Sequence, residues 1–141
     1  MDTSIVRRRV IATIERAKRA AAERRARGDE TARAYGEFLQ HVAIPLVRQV
    51  AGALKASGYL FVVSTPAGAV RLTSEKTSED YIELSLDTSG NQPVVMARIS
   101  RARGRGVVET ERPLAEASIG DLTEEQVLEF LVMELAPFVE R

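Results

Sequence analysis

The spacing of the hydrophobic residues changes at about residue 59, and this change limits the fold more than any other feature of the sequence. Up to residue 57 they recur at steps of three and four, which is typical of one face of a helix. From residue 59 they alternate with polar residues in five short segments, as strands do. A helical spacing returns at Thr123. The order predicts an α+β fold with two N-terminal helices, a five-stranded antiparallel meander and a C-terminal helix, the helices packed on one sheet face.

The first predicted helix covers residues 4–26 and is strongly basic. Its hydrophobic stripe is narrow, because the only large side chains in it are Val6, Val10 and Ile14 and only alanines follow them. A helix with so little apolar surface is marginal in water by itself. Within a single domain of residues 1–141, we therefore expect residues 1–27 to form a basic helix that either projects or pairs with a second copy of the chain.

Gly28 is predicted to end this helix and Asp29 to cap the next one, because glycine favours a left-handed C-terminal position and aspartate is a common N-cap. The second helix then covers residues 30–57 and carries a much wider hydrophobic stripe. Pro45 lies inside this helix. Its ring lacks an N–H group and collides with the carbonyl of His41, so a kink in the helix is expected there.

Turn-forming residues separate most of the strands, and they allow a pairing register to be predicted. Closing each turn around four residues brings the hydrophobic residues of neighbouring strands to one face, and a slip of one residue would reverse every side chain. The predicted pairs include Val63 with Val70, Leu84 with Val95, Ile99 with Val108 and Arg98 with Glu109. The helix-covered face then holds Ile82, Leu84, Leu86, Val95, Ala97, Ile99 and Val108.

The C-terminal helix is predicted to begin with a capping box formed by Thr123 and Gln126. Its hydrophobic stripe is predicted to consist of Val127, Leu128, Leu131, Leu135 and Phe138. The same segment is acidic, and it offers the basic N-terminal helix a complementary surface, within the chain or in a second copy. The acidic side chains are Glu124, Glu125, Glu129, Glu134 and Glu140.

The charges are divided unequally along a chain whose net charge is zero. Residues 1–57 carry 12 basic and 6 acidic side chains, whereas the remainder carries 8 and 14. A chain with opposite poles can pair with itself, so its basic half does not require a nucleic acid. Arginine outnumbers lysine by 17 to 3, which favours a bacterial origin, and the absence of cysteine is compatible with the reducing cytoplasm. No apolar run has the length of a membrane span, so no membrane partner is expected.

The residues that usually carry catalysis do not form a recognisable pattern. His41 is the only histidine and there is no cysteine, so a metal site built on nitrogen or sulfur is not expected. The serines match no nucleophile motif and the glycines match no phosphate-binding loop. We therefore predict no catalytic residue, no metal and no cofactor, and the chain is interpreted as a binding protein rather than an enzyme.

Two groups of residues are candidate contact sites. The turn between the last two strands carries Arg101, Arg103 and Arg105, which could contact an anion, although a nucleic-acid site usually adds stacking aromatics and only 5% of the residues are aromatic. The sheet face away from the helices mixes apolar and charged residues, and such a face suits a partner or a second copy. This candidate partner surface consists of Tyr81, Glu83, Val94, Met96, Arg98, Val107, Glu109 and Glu111.

The sequence leads to one main functional hypothesis and two alternatives. The main hypothesis is a non-enzymatic protein-interaction or adaptor module that forms a homodimer. The first alternative is a nucleic-acid-associated protein that uses the basic N-terminal helix and the turn from Arg101 to Arg105. The second is a small-ligand-binding or enzymatic domain with a pocket between the helices and the sheet.

Overall fold

A computed structural model describes residues 1–140 of the 141-residue chain. The chain divides into two compact units, Met1–Arg33 and Ala34–Arg141. The helices are α1 (Thr3–Phe38), α2 (Ile44–Ala56) and α3 (Glu124–Val139), and a π-helical turn, Leu39–Ala43, separates the first two. The strands are β1 (Phe61–Ser64), β2 (Val70–Ser74), β3 (Tyr81–Asp87), β4 (Val94–Arg103) and β5 (Gly106–Pro113).

The predicted fold class is confirmed, with the junction between the two N-terminal helices in a different place. The predicted break at Gly28 and Asp29 is wrong, because α1 runs without interruption from Thr3 to Phe38. A glycine tolerates a left-handed backbone but does not impose one, and Gly28 is not among the glycines with a positive φ. Its neighbours are mostly alanine, arginine and glutamate, which are strong helix formers.

A π-helical turn, Leu39–Ala43, lies immediately before the position at which a kink was predicted, and Pro45 is the second residue of α2. Phe38 and Ile44, on either side of this turn, keep helical φ and ψ, and the Ile44 N–H donates to the carbonyl oxygen of Leu39, five residues earlier. The helix therefore continues through the turn, and its wider hydrogen-bonding pattern accommodates the N–H group that proline lacks.

The five strands form one antiparallel sheet in the order in which they occur along the chain. The predicted pairing register is wrong by two residues in all three hairpins, because Val63 pairs with Leu72, Leu84 with Ala97 and Ile99 with Thr110. The loops differ from the assumed length of four residues. Arg103 already pairs with Gly106, whereas the other two hairpins close at Ser64–Arg71 and Asp87–Val94.

A shift of two residues leaves every side chain on its predicted face, since side chains alternate along a strand. The face towards the helices is therefore largely as expected, and its residues pack against α2, α3 and the end of α1. Val108 is the exception, because it lies near the turn between β4 and β5 and is exposed. The strand residues buried in this core are Val70, Leu72, Ile82, Leu84, Val95, Ala97 and Ile99.

Helix α3 packs on this face with a different set of residues from the predicted one. The capping box is confirmed: the Gln126 backbone N–H donates to Thr123 Oγ1 at 3.2 Å, and the Thr123 N–H donates to Gln126 Oε1 at 3.0 Å. Phe130 is buried, whereas Leu128, predicted to face the core, is exposed. Positions 128 and 130 lie on opposite margins of the stripe, and spacing alone does not decide which of the two meets the sheet.

Tyr35, near the end of α1, supplies a testable link between the helices and the sheet. Its hydroxyl donates a hydrogen bond of 2.6 Å to the carbonyl oxygen of Gly68 in the loop between β1 and β2. Burial, and secondarily the carboxylate of Glu83, raise the pKa of Tyr35 from 10 to about 12. The folded state therefore holds this proton more tightly than the unfolded state.

The stability that depends on this proton is complete below pH 10 and is lost as the pH rises through about 12. The Tyr35→Phe variant should be less stable than the wild type by about 1 kcal/mol at neutral pH, because it loses the hydrogen bond. It should also lose less stability between pH 10 and pH 12. Thermal unfolding followed across this pH range checks both expectations, and parallel pH profiles for the two proteins would contradict the second.

Candidate interaction surfaces

The N-terminal part of α1 exposes a row of aliphatic side chains, which we call the α1 stripe: Val6, Val10 and Ile14. These three residues are 45%, 52% and 47% exposed. They are four residues apart, so they lie on one side of the helix. Residues 3–33 carry ten basic and four acidic side chains around this row. Ile5 and Ile11, which are 39% and 46% exposed, lie outside this row. The α1 stripe is therefore a narrow apolar row on a strongly basic helix.

The basic side chains of α1 fall into two groups relative to the α1 stripe. Arg7 precedes Val10 by three residues and Lys18 follows Ile14 by four, so both lie beside the stripe. Arg8 and Arg19 project from the other side of the helix, because each residue turns the helix by roughly 100°. All four are exposed. The flanking and the opposite arginines and lysines can therefore be changed separately.

Helix α3 also exposes apolar residues. Leu128, Val132 and Met133 are 41%, 60% and 65% exposed, and they share their side of the helix with Glu125 and Glu129. We call these five residues the α3 outer face. Helix α3 contains four glutamates and no basic residue, so the surround of its exposed apolar side chains is acidic.

The five glutamates predicted to form the acidic surface do not all belong to this face. Glu124, Glu125, Glu129 and Glu140 are exposed. Glu134 is turned towards the sheet, where it forms an ion pair with Arg112 and is largely buried. The guanidinium of Arg112 also lies over the ring of Phe130, 5.1 Å from its centroid. Glu134 therefore belongs to the contact between α3 and β5.

The eight residues of the predicted partner surface lie on one face of the sheet, as their alternation requires. Their exposure differs widely. Tyr81 and Glu83 are each 8% exposed, and Val94 and Met96 are half-buried. Arg98, Val107, Glu109 and Glu111 are exposed. This outer sheet face is therefore partly covered by its own side chains.

A row of paired charges crosses this face, and we call it the charge ladder: Arg71, Glu83, Arg98 and Glu111, one on each of β2 to β5. Arg71 donates from Nε to Glu83 Oε1 at 3.1 Å and its Nη2 lies 3.0 Å from the same oxygen. Arg98 donates from Nε to Glu111 Oε1 at 2.8 Å. The predicted pairing of Arg98 with Glu109 is therefore wrong by two residues, in keeping with the register of the whole sheet.

Arg71 was missed by reasoning from the sequence, because the pairing of β2 with β3 was not predicted. Its guanidinium lies 4.1 Å from the centroid of the Tyr81 ring, a cation–π contact that covers the tyrosine. Hydrogen bonds to Glu111 and, secondarily, to the Tyr81 hydroxyl raise the pKa of Arg98 above its ordinary value. Arg71, on β2, thus contacts both Tyr81 and Glu83, and Arg98, on β4, contacts Tyr81.

The three arginines of the β4–β5 turn do not share one surface. Gly104, with a φ of 62°, and Arg105 form a two-residue turn in which glycine meets the left-handed backbone without strain. Arg101 is half-buried, whereas Arg103 and Arg105 are exposed. Arg101 and Arg103 line a cavity of about 300 Å³ together with Glu140 and Pro137. The carboxylate of Glu140 opposes the entry of an anion there.

Further cavities are lined by described residues of the second unit. One of about 570 Å³ is lined by aromatic residues, among them Tyr59, Phe61 and Phe138, and by Asp80. The Asp80 carboxylate accepts a 2.8 Å hydrogen bond from the backbone N–H of Ala102 and so holds the β3 entry loop against β4. Another, of about 400 Å³, lies beside the π-helical turn and includes Arg48. These are the spaces that the small-ligand alternative would use.

The remaining candidates for chemistry are few. His41 is exposed, and its Nε2 lies 3.5 Å from Glu37 Oε2 on the preceding turn. In residues 1–140, no three side chains of histidine, cysteine, aspartate or glutamate come together in a way that could hold a metal ion. Nor is any helix in that range both long enough and apolar enough to cross a membrane.

Comparisons of the chain with protein-family models, with curated protein sequences and with solved structures found no match.

Proposed function

We propose that this chain is a non-enzymatic protein-interaction module that associates with itself through the α1 stripe. The observation that carries the proposal is the exposure of Val6, Val10 and Ile14 on one side of a 36-residue helix. Complete burial of an aliphatic side chain of this size contributes about 1.5–3 kcal/mol. Each residue of the stripe is about half exposed, so a substantial part of that free energy is available to a partner.

The charge around the α1 stripe determines what kind of partner fits it. Exposed ion pairs contribute little free energy each, so the basic side chains orient the contact and the apolar ones hold it together. A partner should therefore present apolar residues inside an acidic surround. Proteins of the bacterial cytoplasm, including a second copy of this chain, are the partners that we propose.

The experiment is light scattering at micromolar concentration on the wild type and on two variants, Val10→Asp and Ile14→Asp. We expect a dimer for the wild type and a dimerisation at least about tenfold weaker for each variant, because a charge then lies in the apolar contact. Raising the salt concentration should weaken the dimer less than either variant does. Ala26→Asp is the matched control, because Ala26 is exposed and lies roughly 160° around the helix from Val10.

Circular dichroism establishes that the variants keep their helix content. A wild type that stays monomeric over the whole concentration range would contradict self-association. An effect of Ala26→Asp as large as that of Val10→Asp would show that the aspartates act on the helix itself and not on a contact.

A second candidate function follows from the same helix. Ten basic side chains on residues 3–33, together with the exposed Arg103 and Arg105, suit a polyanion such as DNA or RNA. Binding of this kind weakens steeply with salt, whereas an apolar contact does not. Retention on heparin at near-physiological salt, lost when Arg103 and Arg105 are replaced by serine, would favour this candidate over the interaction module.

A further inference from the structure

We infer that the α1 stripe docks on the α3 outer face of a second copy of this chain, and that the two copies exchange this contact reciprocally. The inference rests on the proposed function, because it names the partner surface for the self-association proposed above. It requires the α1 stripe of one copy to cover Leu128, Val132 and Met133 of the other.

The α3 outer face exposes apolar residues that a second copy could cover. The opposite side of α3 already packs into the core, with Phe130 and Leu131 buried against the sheet and α2. Leu128, Val132 and Met133 take no part in that buried cluster, and Val132 and Met133 are 60% and 65% exposed. An apolar group of this kind on a helix surface is typical of a contact with another protein.

The opposite charges of the two helices favour a contact between α1 and α3. Residues 3–33 carry a net charge of +6, whereas α3 carries no basic residue and exposes three glutamates, Glu124, Glu125 and Glu129. Pairing two α1 helices would bring two strongly basic segments together, and pairing two α3 helices would do the same for acidic ones. Like charges across an interface are costly, and opposite charges are favoured. Of the three possible pairings, α1 on α3 is the one in which the charges attract.

The number of residues that a stable interface needs favours a reciprocal dimer. A stable interface usually takes roughly 20–30 residues from each side, more than one side of one helix supplies. A closed two-fold arrangement uses the α1–α3 contact twice, because each copy gives one α1 stripe and receives one on its α3 outer face. The reciprocal dimer therefore doubles the apolar area without requiring a further surface.

The test reverses the charges beside each surface in two separate proteins. One carries Arg7→Glu and Lys18→Glu, beside the α1 stripe. The other carries Glu125→Arg and Glu129→Arg, on the α3 outer face. All four side chains are exposed, so folding should be unchanged, and circular dichroism melts verify this. We expect each variant alone to dimerise about tenfold more weakly than the wild type at roughly 0.15 M salt, since the charges beside the contact then repel and the net attraction between α1 and α3 falls.

Mixing the two variants is the decisive measurement. In the mixed dimer, the α1 stripe flanked by the two introduced carboxylates meets the α3 outer face that carries the two introduced arginines, and the unchanged α1 meets the unchanged α3. Both contacts are then attractive, and we expect a heterodimer of near wild-type stability by light scattering or by analytical ultracentrifugation with one labelled partner. A contact made within one chain cannot be restored by mixing.

Two matched controls use charges away from the proposed contact. Arg8→Glu with Arg19→Glu reverses two charges on the other side of α1, and Glu116→Arg reverses an exposed charge in the loop before α3. At roughly 0.15 M salt, where charges more than about 8 Å apart are largely screened, both should leave the wild-type dimer unchanged to within about twofold.

The outcomes separate this inference from the proposed function. If Val10→Asp weakens the dimer but Glu125→Arg with Glu129→Arg does not, the self-association stands and the α3 outer face is not its partner. If both charge variants weaken the dimer and mixing fails to restore it, the reciprocal contact is wrong. A wild type without a dimer overturns both.

Discussion

Replacing Leu131 with alanine should lower the free energy of unfolding by about 2–5 kcal/mol. Leu131 is 1% exposed and belongs to the core that α3 forms with the sheet and α2. Removal of its side chain leaves a cavity that the surrounding residues fill only in part. Urea denaturation, analysed with a common slope for the wild type and the variant, measures the difference.

Leu128 provides the matched control, because it is the same residue on the same helix and is 41% exposed. Leu128→Ala should change the free energy of unfolding by less than about 1 kcal/mol, since little buried area is lost. Measured at a concentration where the protein is monomeric, equal losses for the two variants would show that Leu128 faces the core. The α3 outer face would then lose one of its three apolar residues, and the inferred dimer contact would lose part of its basis.

The order and type of the elements could be predicted because they depend on local patterns. The change from helical to alternating spacing at residue 59 determines the order helix, sheet and helix without reference to tertiary structure. The capping box at Thr123 and Gln126 is equally local, because both hydrogen bonds join residues three apart. The proline effect at Pro45 also acts within one turn of its own position.

The pairing register could not be predicted with the same success, because it depends on how many residues each turn uses. The Asp87 carboxylate accepts hydrogen bonds from the backbone N–H and the hydroxyl of Ser89, at 2.9 and 2.7 Å, and this local turn lengthens the loop after β3. Gly104 shortens the last turn, because it tolerates a positive φ. Such side-chain and backbone details shift the pairing register by two residues, and the shifted register still places the hydrophobic residues on the same face of the sheet.

The candidate surfaces, like the fold, could be predicted from the sequence only in part. Alternation was sufficient to place Tyr81, Glu83 and Arg98 on one sheet face. It could not show that Arg71 covers Tyr81, because this contact joins β2 to β3 through a register that no turn motif indicates. Likewise the exposure of Val132 and Met133 depends on which side of α3 meets the sheet, and this is decided by packing and not by spacing.

The charge ladder supplies the second large effect. Glu83→Ala should lower the free energy of unfolding by about 2–4 kcal/mol, because it leaves the partly buried guanidinium of Arg71 without its acceptor. Glu111→Ala is the matched control on the same row. Glu111 is half-exposed and its partner Arg98 reaches solvent, so the loss there should stay below about 1 kcal/mol. Urea denaturation of both variants makes the comparison, and equal losses would contradict it.

A double-variant cycle with Arg71→Ala determines what the Glu83 effect means for the outer sheet face. If the two substitutions couple by about 1–3 kcal/mol, the ion pair itself stabilises the sheet, and the burial of Tyr81 and Glu83 contributes to the stability of the fold. The part of the outer face that a partner can still cover is then reduced to Val94, Met96, Arg98 and the exposed residues of β5. A coupling near zero, with a small effect of Glu83→Ala, would instead return Tyr81 and Glu83 to the candidate partner surface. The Tyr81 ring and the Glu83 carboxylate could then contact another molecule at little cost to stability.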